Sequence, residues 1–376
     1  MTLNRCFTIR RLILAVALFT CLGHITHASA QEYILIDLKS RTIKELGISD
    51  DGLSSAKDIN DAGQVGGWSG LSAETRLAFI TGPDGIGMRN LGTLGGNSYV
   101  AGINDLGQAV GWFETAGGFD QAFATGPGGA DMRNLGTLGS DWSYANDINN
   151  AGWIVGESTM VDGDYHAFIT GPVGVGMRDL GTLGGVWSYG NGINNAGQVV
   201  GNSYTVEDDF HAFITGPEGM DMRDLGSLGG GYSEANGINE SGQVAGWSWT
   251  AENLSHAFIT GADGMGMRDL GTLGGDSSYA YGINDAGQVV GQSYTAQGDG
   301  FQAFITGPDG EGMVNLNSLL DLPEGIILTK AIDINNQGQV LAYVVTSVPE
   351  PETYVLMLIG LSVIGFMARG KKAENG

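Results

Sequence analysis

The chain has 376 residues, 65 of them glycine, with 42% hydrophobic and 15% charged residues. It is too apolar for a disordered polar tract, and its glycines follow no G-X-Y period. The formal charge is −24, and residues 31–348 carry 11 Lys+Arg against 38 Asp+Glu; such a polyanion repels phosphate backbones, which excludes nucleic acid as a partner. Both cysteines, Cys6 and Cys21, lie near the start, so the rest of the chain offers no disulfide framework, CxxC zinc site or cysteine nucleophile.

The first element is an address. Arg5, Arg10 and Arg11 form a basic region, residues 12–22 an apolar one, and Ala28-Ser29-Ala30 a small-x-small site. This predicts a secretory signal peptide over residues 1–30, cleaved after Ala30. The alternatives are an N-terminal membrane anchor, or a lipoprotein at Cys21, for which Phe19 and Thr20 make a poor lipobox.

The body, residues 31–348, is a repeat. The phrase "INNAGQVVG" recurs with Ile at 59, 103, 148, 193, 238, 283 and 334; "AFITG" recurs with Phe at 79, 123, 168, 213, 258 and 304. "LGTLGG" or a variant starts at Leu91, Leu135, Leu180, Leu225 and Leu270. A period of ~45 residues accommodates four short strands per unit. Strand a is short, as at 235–238, and ends in Asn-[Asn/Asp]-Ala-Gly, a type I turn with a G1 bulge whose Gly takes positive φ. Strand b is "QVVGNSY" and strand c "HAFIT". Gly-Pro-Asp-Gly at 307–310 reads as a type I turn into strand d, "MRDLGTL", and Gly-Gly carries the chain onward.

The ends choose the architecture. Residues 33–38 and 42–47 read as strands c and d with no a and b before them, and "LTKAIDINNQGQVLAYVVTS" reads as a and b with no c and d after them. Joining these halves gives an all-β fold, a seven-bladed β-propeller of four-stranded repeats. Its last blade is closed by N-terminal strands c-d and C-terminal strands a-b, leaving only short, protected edges. A linear β-solenoid is the alternative.

The last element reads "VPEPETYVLMLIGLSVIGFMARGKKAENG". Pro349-Glu350-Pro351 precede an apolar stretch, 354–368, and then Arg369, Lys371 and Lys372. As a helix that stretch spans about 22 Å, shorter than a ~30 Å hydrocarbon core. Its isolation and basic stop still predict a membrane anchor whose basic end stays cytoplasmic. The segment 349–376 resembles the PEP-CTERM sorting signal, although its basic cluster is thin. The resemblance implies a Gram-negative source, an exosortase-type processing enzyme and a transient stay in the inner membrane. "HAFITGPEGMDMRDLGSLGG", residues 211–230, and its siblings resemble the HAF-family extracellular repeats, which implies a secreted repeat protein and supplies no catalytic residues.

Chemistry-bearing residues sit at repeat positions. His166, His211 and His256 occupy one such position, where Leu77, Gln121 and Gln302 stand in other units; equivalent atoms on separate blades do not converge on a metal. Arg89, Arg133, Arg178, Arg223 and Arg268 of M-R-[DN]-L read as structural, each expected to meet an acid in another strand or blade, with a ligand-binding Arg ring as the alternative. LGTLGG lacks a P-loop Lys and a following helix, so it reads as a turn. The b–c connections vary most and share one face with the d–a loops, which bring Tyr99, Trp142, Tyr144, Trp187, Tyr189, Tyr232 and Tyr279. Trp142, Tyr144, Trp187, Tyr189 and Tyr232 are the candidate ligand face, with wedging between blades as the alternative use. Asp162, Asp164, Asp208 and Asp209 are weak Ca²⁺ candidates without an EF-hand or RTX pattern; no other metal, cofactor or catalytic residue is indicated.

The function expected is that of an exported, non-catalytic repeat protein at the cell surface or in the extracellular matrix, linked to exopolysaccharide or biofilm. A lectin-like propeller binding carbohydrate or surface proteins is one alternative. A propeller hydrolase is a weaker one, since every strand a offers nearly the same Asn and Gly at the axis.

Overall fold

The computed structural model describes residues 28–49, 54–72, 75–348 and 362, and the described residues up to 348 are strands joined by turns and short 3-10 segments. Gln31–Val345 form one compact unit; Met1–Ala30 and Thr346–Gly376 are grouped apart from it. The sheets follow the repeat. Ser54–Ile59, Val65–Ser72, Thr75–Thr81 and Met88–Gly92 make one four-stranded antiparallel sheet in chain order, and the pattern recurs along the chain. The sheets beginning at Gly184 and Gly229 are joined into one of eight strands through a single parallel pair, Phe210↔Tyr232. The chain ends share a sheet in the expected way: Thr42–Ser49, Ala28–Asp37, Gln339–Val348 and Ile326–Ile334, in that order.

Each sheet is too thin to bury a core alone, so the apolar residues are buried between neighbouring sheets. Ala78 and Ile80 of one sheet pack with Val100, Ile103, Ala109, Phe113 and Phe123 of the next. The Phe of each "AFITG", from Phe79 to Phe304, is fully buried. One such core joins the chain ends to the first repeat: Tyr33, Leu35, Ile48 and Leu341 pack on Ala56, Ile59, Val65 and Phe79. The sheets therefore form a closed ring and not an open row.

Asparagine ties the ring together at the a–b turns. Asn104, 4% exposed, accepts at Oδ1 from the N–H groups of Leu106 (3.1 Å) and Gln108 (3.0 Å). Its Nδ2 donates to Gln108 Oε1 (2.8 Å) and to the carbonyl of Asn149 in the next unit (3.0 Å). The turn and the joint are thus held by one side chain. The same donation runs from Asn60 to Asn104, Asn149 to Asn194, Asn194 to Asn239, Asn239 to Asn284 and Asn284 to Asn335. It then passes from Asn335 back to the Asn60 carbonyl at 2.9 Å, closing the circle. A second circle, one residue on, uses backbone donors and side-chain acceptors through Asp61, Asp105, Asn150, Asn195, Glu240, Asp285 and Asn336.

Two local expectations change. The turn Gly is at positive φ as expected (Gly197, +75°), but the c–d turn is not type I. Its central residue is left-handed, as at Asp309 (φ 52°, ψ 28°) and even at β-branched Val173 (φ 55°), whereas type I keeps φ negative there. This conformation lets Asp309 and Gly310 donate to the Ala286 and Gly287 carbonyls, docking the c–d turn on the a–b turn. Strand a is also longer than expected. In three units it begins at the Gly-Gly: Gly184–Ile193, Gly229–Ile238 and Gly274–Ile283.

Asn104→Ala removes both acceptor and donor from buried backbone partners, each worth ~1–3 kcal/mol when left unpaired. Chemical denaturation is expected to show a loss of ~2–4 kcal/mol; a midpoint unchanged from the parent protein would contradict the role given to the asparagine circle.

Candidate functional site

The two ends of the ring differ in chemistry. At the a–b turn end, a cavity of about 180 Å³ is lined by both circles and by the Ile preceding each Asn. Its acids Asp61, Asp105, Glu240 and Asp285 each accept a neighbouring backbone N–H, so they are engaged in the joints.

Just inside lie three carboxyl groups that the sequence reading passed over. Where four units have Gly-Ile-Asn, three have Asp-Ile-Asn: Asp58, Asp147 and Asp333. Each reaches the next unit: Asp58 Oδ2 accepts from Ile103 N–H (2.6 Å), Asp147 Oδ2 from Ile193 N–H (2.9 Å) and Asp333 Oδ2 from Ile59 N–H (3.4 Å). Asp58 and Asp333 meet across the joint between the chain ends and the first repeat, where both accept from the Ile59 N–H, Asp58 Oδ1 at 2.8 Å and Asp333 Oδ2 at 3.4 Å. Burial is the main cause of their raised pKa values. It lifts Asp147 to about 7, with the Asp58 charge adding to it. It lifts Asp333 to about 6 and Asp58 well above the usual carboxylate range, Asp58 also feeling the Asp333 charge.

Further along strand a, Lys330 lies 3.9 Å from the Tyr281 ring centroid. Burial, reinforced by Lys57, lowers its pKa to about 8. Glu157 is raised to about 8 by burial, although Asn146 Nδ2 donates to it at 2.6 Å. The expectation that every strand a presents nearly the same Asn and Gly is therefore corrected: the strands carry unit-specific acids and a half-buried lysine.

At the other end, the b–c and d–a connections bring aromatic rings together. Tyr144 meets Trp112 edge-on at 5.5 Å and donates its hydroxyl to Asp120 Oδ2 at 3.2 Å. Tyr189 lies between Tyr165 and Phe210 at 6.3 and 6.1 Å. Tyr232 packs on Phe210, Trp247 and Trp249 at 5.2, 4.7 and 5.3 Å, and Trp142 stands edge-on to Phe119 at 5.4 Å. These four are half-buried and wedge between strands or sheets. Trp187 differs: it is 38% exposed, stands edge-on to Tyr204 and donates Nε1–H to Asp164 Oδ1 at 3.2 Å.

Two exposed rings were missed, Trp249 (39%) and Tyr294 (37%). With Tyr204 they mark one strand b position in three successive units, 45 residues apart, and that spacing was their signal. The second Gly of each Gly-Gly makes room for them. A Cβ on Gly185, Gly230 or Gly275 would come within 2.5 Å of the Cβ of Tyr204, Trp249 or Tyr294. LGTLGG is therefore part turn and part hairpin platform.

The other candidates have structural partners. His166, His211 and His256 hydrogen-bond through Nδ1 to Asp179, Asp224 and Asp269 of strand d, at 3.0, 2.9 and 2.8 Å. Where the chain has Gln121 or Gln302, the partner is Asn134 or Asn315, so the pair is exchanged as a unit. Arg178, Arg223 and Arg268 donate not to acids, as expected, but to the carbonyls of Glu218, Asp263 and Asp309 in the next c–d turn. The carbonyl end of that turn faces them because its N–H groups already dock on the a–b turn.

The Ca²⁺ candidates form no cage. Among the described residues, no three His, Cys, Asp or Glu side chains are placed to hold a metal. Asp164 N–H donates to Asp162 Oδ1, and Asp208 and Asp209 lie in the turn that folds back on Thr205. Ala28 and Ala30 lie in the first residues of the strand Ala28–Asp37. Pro349, Glu350, Pro351, Arg369, Lys371 and Lys372 lie outside the described residues, as does 354–368 apart from Ser362. No helix among the described residues is long and apolar enough to cross a membrane.

Residues 347–372 match the PEP-CTERM protein-sorting motif, which implies an exported protein, held transiently at its C-terminus and processed by an exosortase. No curated protein matches the sequence. The β-propeller domain of the trilobed protease from Pyrococcus furiosus, described as having an open velcro topology, is similar in structure. Its TM-score is 0.51 at 10% identity, over 78% of this chain and 90% of that one. A TolB protein from Agrobacterium tumefaciens gives 0.48 at 9% identity, over 85% of this chain and 100% of that one. A puromycin hydrolase gives 0.49 at 12% identity, over 77% of this chain and 49% of that one. The fold is an all-β propeller of antiparallel sheets. In this chain, unlike an open arrangement, strands from both ends share a sheet.

The buried carboxyls make stability depend on pH. A folded-state pKa above the unfolded value means that the folded protein holds protons the unfolded chain releases. The stability contributed is complete below about pH 4, near the unfolded value, and is lost as pH rises through about 6 and 7, the values of Asp333 and Asp147. The melting temperature is expected to fall between pH 5 and pH 8. Asp58→Asn, which keeps an acceptor for Ile103 without a charge, should raise it by ~2–4 °C at pH 8 and flatten the slope. An equal fall in the variant would show that the carboxyl pair is not its source.

Proposed function

We propose that this is an exported, non-catalytic propeller scaffold of the cell surface or extracellular polysaccharide matrix of a Gram-negative bacterium. On this reading residues 1–30 are a signal peptide cleaved after Ala30, and residues 31–348 are a seven-bladed propeller of HAF-type repeats. Residues 349–376 are the sorting segment, with Pro349, Glu350 and Pro351 as its recognition element and Arg369, Lys371 and Lys372 as the basic stop behind the apolar stretch. The sorting motif at 347–372 carries the export claim. The blade count is supported by the hydrogen-bonded circle that leaves Asn60 and returns to it from Asn335. A non-catalytic role is favoured because the strand a acids accept backbone N–H groups at the joints.

A lectin-like role is a second reading, favoured by the exposure of Trp187, Trp249 and Tyr294 on the end where connections vary. Their aromatic faces offer flat apolar platforms to sugar rings.

Mass spectrometry of the protein from producing cells tests the export reading. The expected mature chain begins at Gln31 and lacks the apolar stretch 354–368, and Pro349→Ala with Pro351→Ala should leave that stretch attached. A surface-located wild-type chain that keeps residues 354–368 would overturn the processing claim.

A further inference from the structure

We propose that the face bearing Trp187, Trp249 and Tyr294 binds a polysaccharide of amino sugars with free ammonium groups. This inference rests on the export reading, because such a polymer lies outside the cell.

Two independent features point to this class. The first is the aromatic array. Rings touch in sequence from Trp187 to Tyr204, Phe210, Tyr232 and Trp249, at 5.8, 4.7, 5.2 and 5.3 Å. The contacts continue from Tyr232 through Trp247, Tyr279 and Phe301 to Tyr294, at 4.7, 5.1, 5.8 and 3.9 Å. Neighbours fix each ring while Trp187, Trp249 and Tyr294 keep more than a third of their surface open. Rings fixed in advance lose little entropy when a sugar stacks on them. The 45-residue recurrence of Tyr204, Trp249 and Tyr294 suits a ligand that also repeats.

The second feature is charge. Between Arg133 and Lys330 the only Lys or Arg residues are Arg178, Arg223 and Arg268. All three are committed to c–d turn carbonyls at the opposite end. The aromatic end of this stretch carries Asp141, Asp162, Glu207, Asp208, Glu252, Asp276 and Asp299, all exposed, with Asp164 and Asp209 half-buried. Asp164 sits directly against the Trp187 indole. A polyuronate meets only repulsion here, whereas an ammonium-bearing sugar pairs with the acids while its ring stacks on the aromatics. The protein's other cations, such as Lys57, Arg76 and Lys330, lie outside this stretch.

The test is calorimetry on the purified full chain with a glucosamine hexamer, its fully N-acetylated counterpart and a hexuronate oligomer. The glucosamine hexamer is expected to bind and to weaken as salt rises. The acetylated form should bind at least tenfold more weakly, and the uronate not at all. Trp249→Ala should weaken binding about tenfold with an unchanged melting temperature. Equal affinity for the free and acetylated hexamers overturns the charge assignment, and so does a preference for uronate. Binding that survives Trp187→Ala, Trp249→Ala and Tyr294→Ala together is non-specific attraction to a polyanion and overturns the site, as does no binding at all. These outcomes are read on purified protein, so they leave the processing claim standing; conversely, a retained C-terminal segment in cells leaves the binding result standing.

Discussion

The donation from each Asn side chain to the next Asn carbonyl is the interaction on which the rest of this ring depends. One amide holds its own turn closed and grips the following unit, so local turn formation and long-range assembly are the same event. The geometry has little tolerance. The side chain must accept from two N–H groups and donate twice, which Asp, Ser and Gln cannot do from that backbone position. The neighbouring circle of Asp61, Asp105, Glu240 and their amide counterparts needs only an acceptor, and there the sequence does vary among Asn, Asp and Glu.

The joint between the chain ends and the first repeat differs from the others. Units elsewhere are each built from one continuous stretch of chain, whereas the sheet at the chain ends pairs strands Ala28–Asp37 and Gln339–Val348 from opposite ends of the sequence. Its C-terminal strands meet the first repeat through packing around Ile59 and Leu341, the Asn335–Asn60 bond and the Asp58–Asp333 pair. Two acids facing each other weaken a joint when both are charged; burial favours their neutral forms and makes the joint sensitive to pH. The closed ring leaves its variable chemistry on the opposite end, where the connections lie outside the asparagine circle.

Much of this was legible in the sequence because the repeat displays its own alternatives. The 45-residue period, the split sheet at the ends and the structural use of His211 and Arg223 follow from comparing units. The His–Asp and Gln–Asn exchange was visible too: His166 stands with Asp179, and Gln121 with Asn134. What escaped was what the repeat average hides. Asp58, Asp147 and Asp333 replace Gly in a phrase otherwise constant; their partners lie in the next unit, and for Asp333 that unit is 274 residues away in sequence. Trp249 and Tyr294 looked like ordinary strand residues until the paired Gly230 and Gly275 placed them over an exposed hairpin. The c–d turn was misread because its type is set by docking on another turn, which Pro and Asp alone do not encode.

Closure of the ring is tested most directly by hydrogen exchange of the full chain under native conditions. Residues 58–64 and 333–339 form the joint at the chain ends; residues 190–198 and 235–243 form joints within the chain. The account predicts that all four exchange with comparable protection, since each contributes to the same circle of Asn bonds. Rapid exchange confined to 58–64 and 333–339, with the inner joints protected, would mean an open row of sheets and would contradict it.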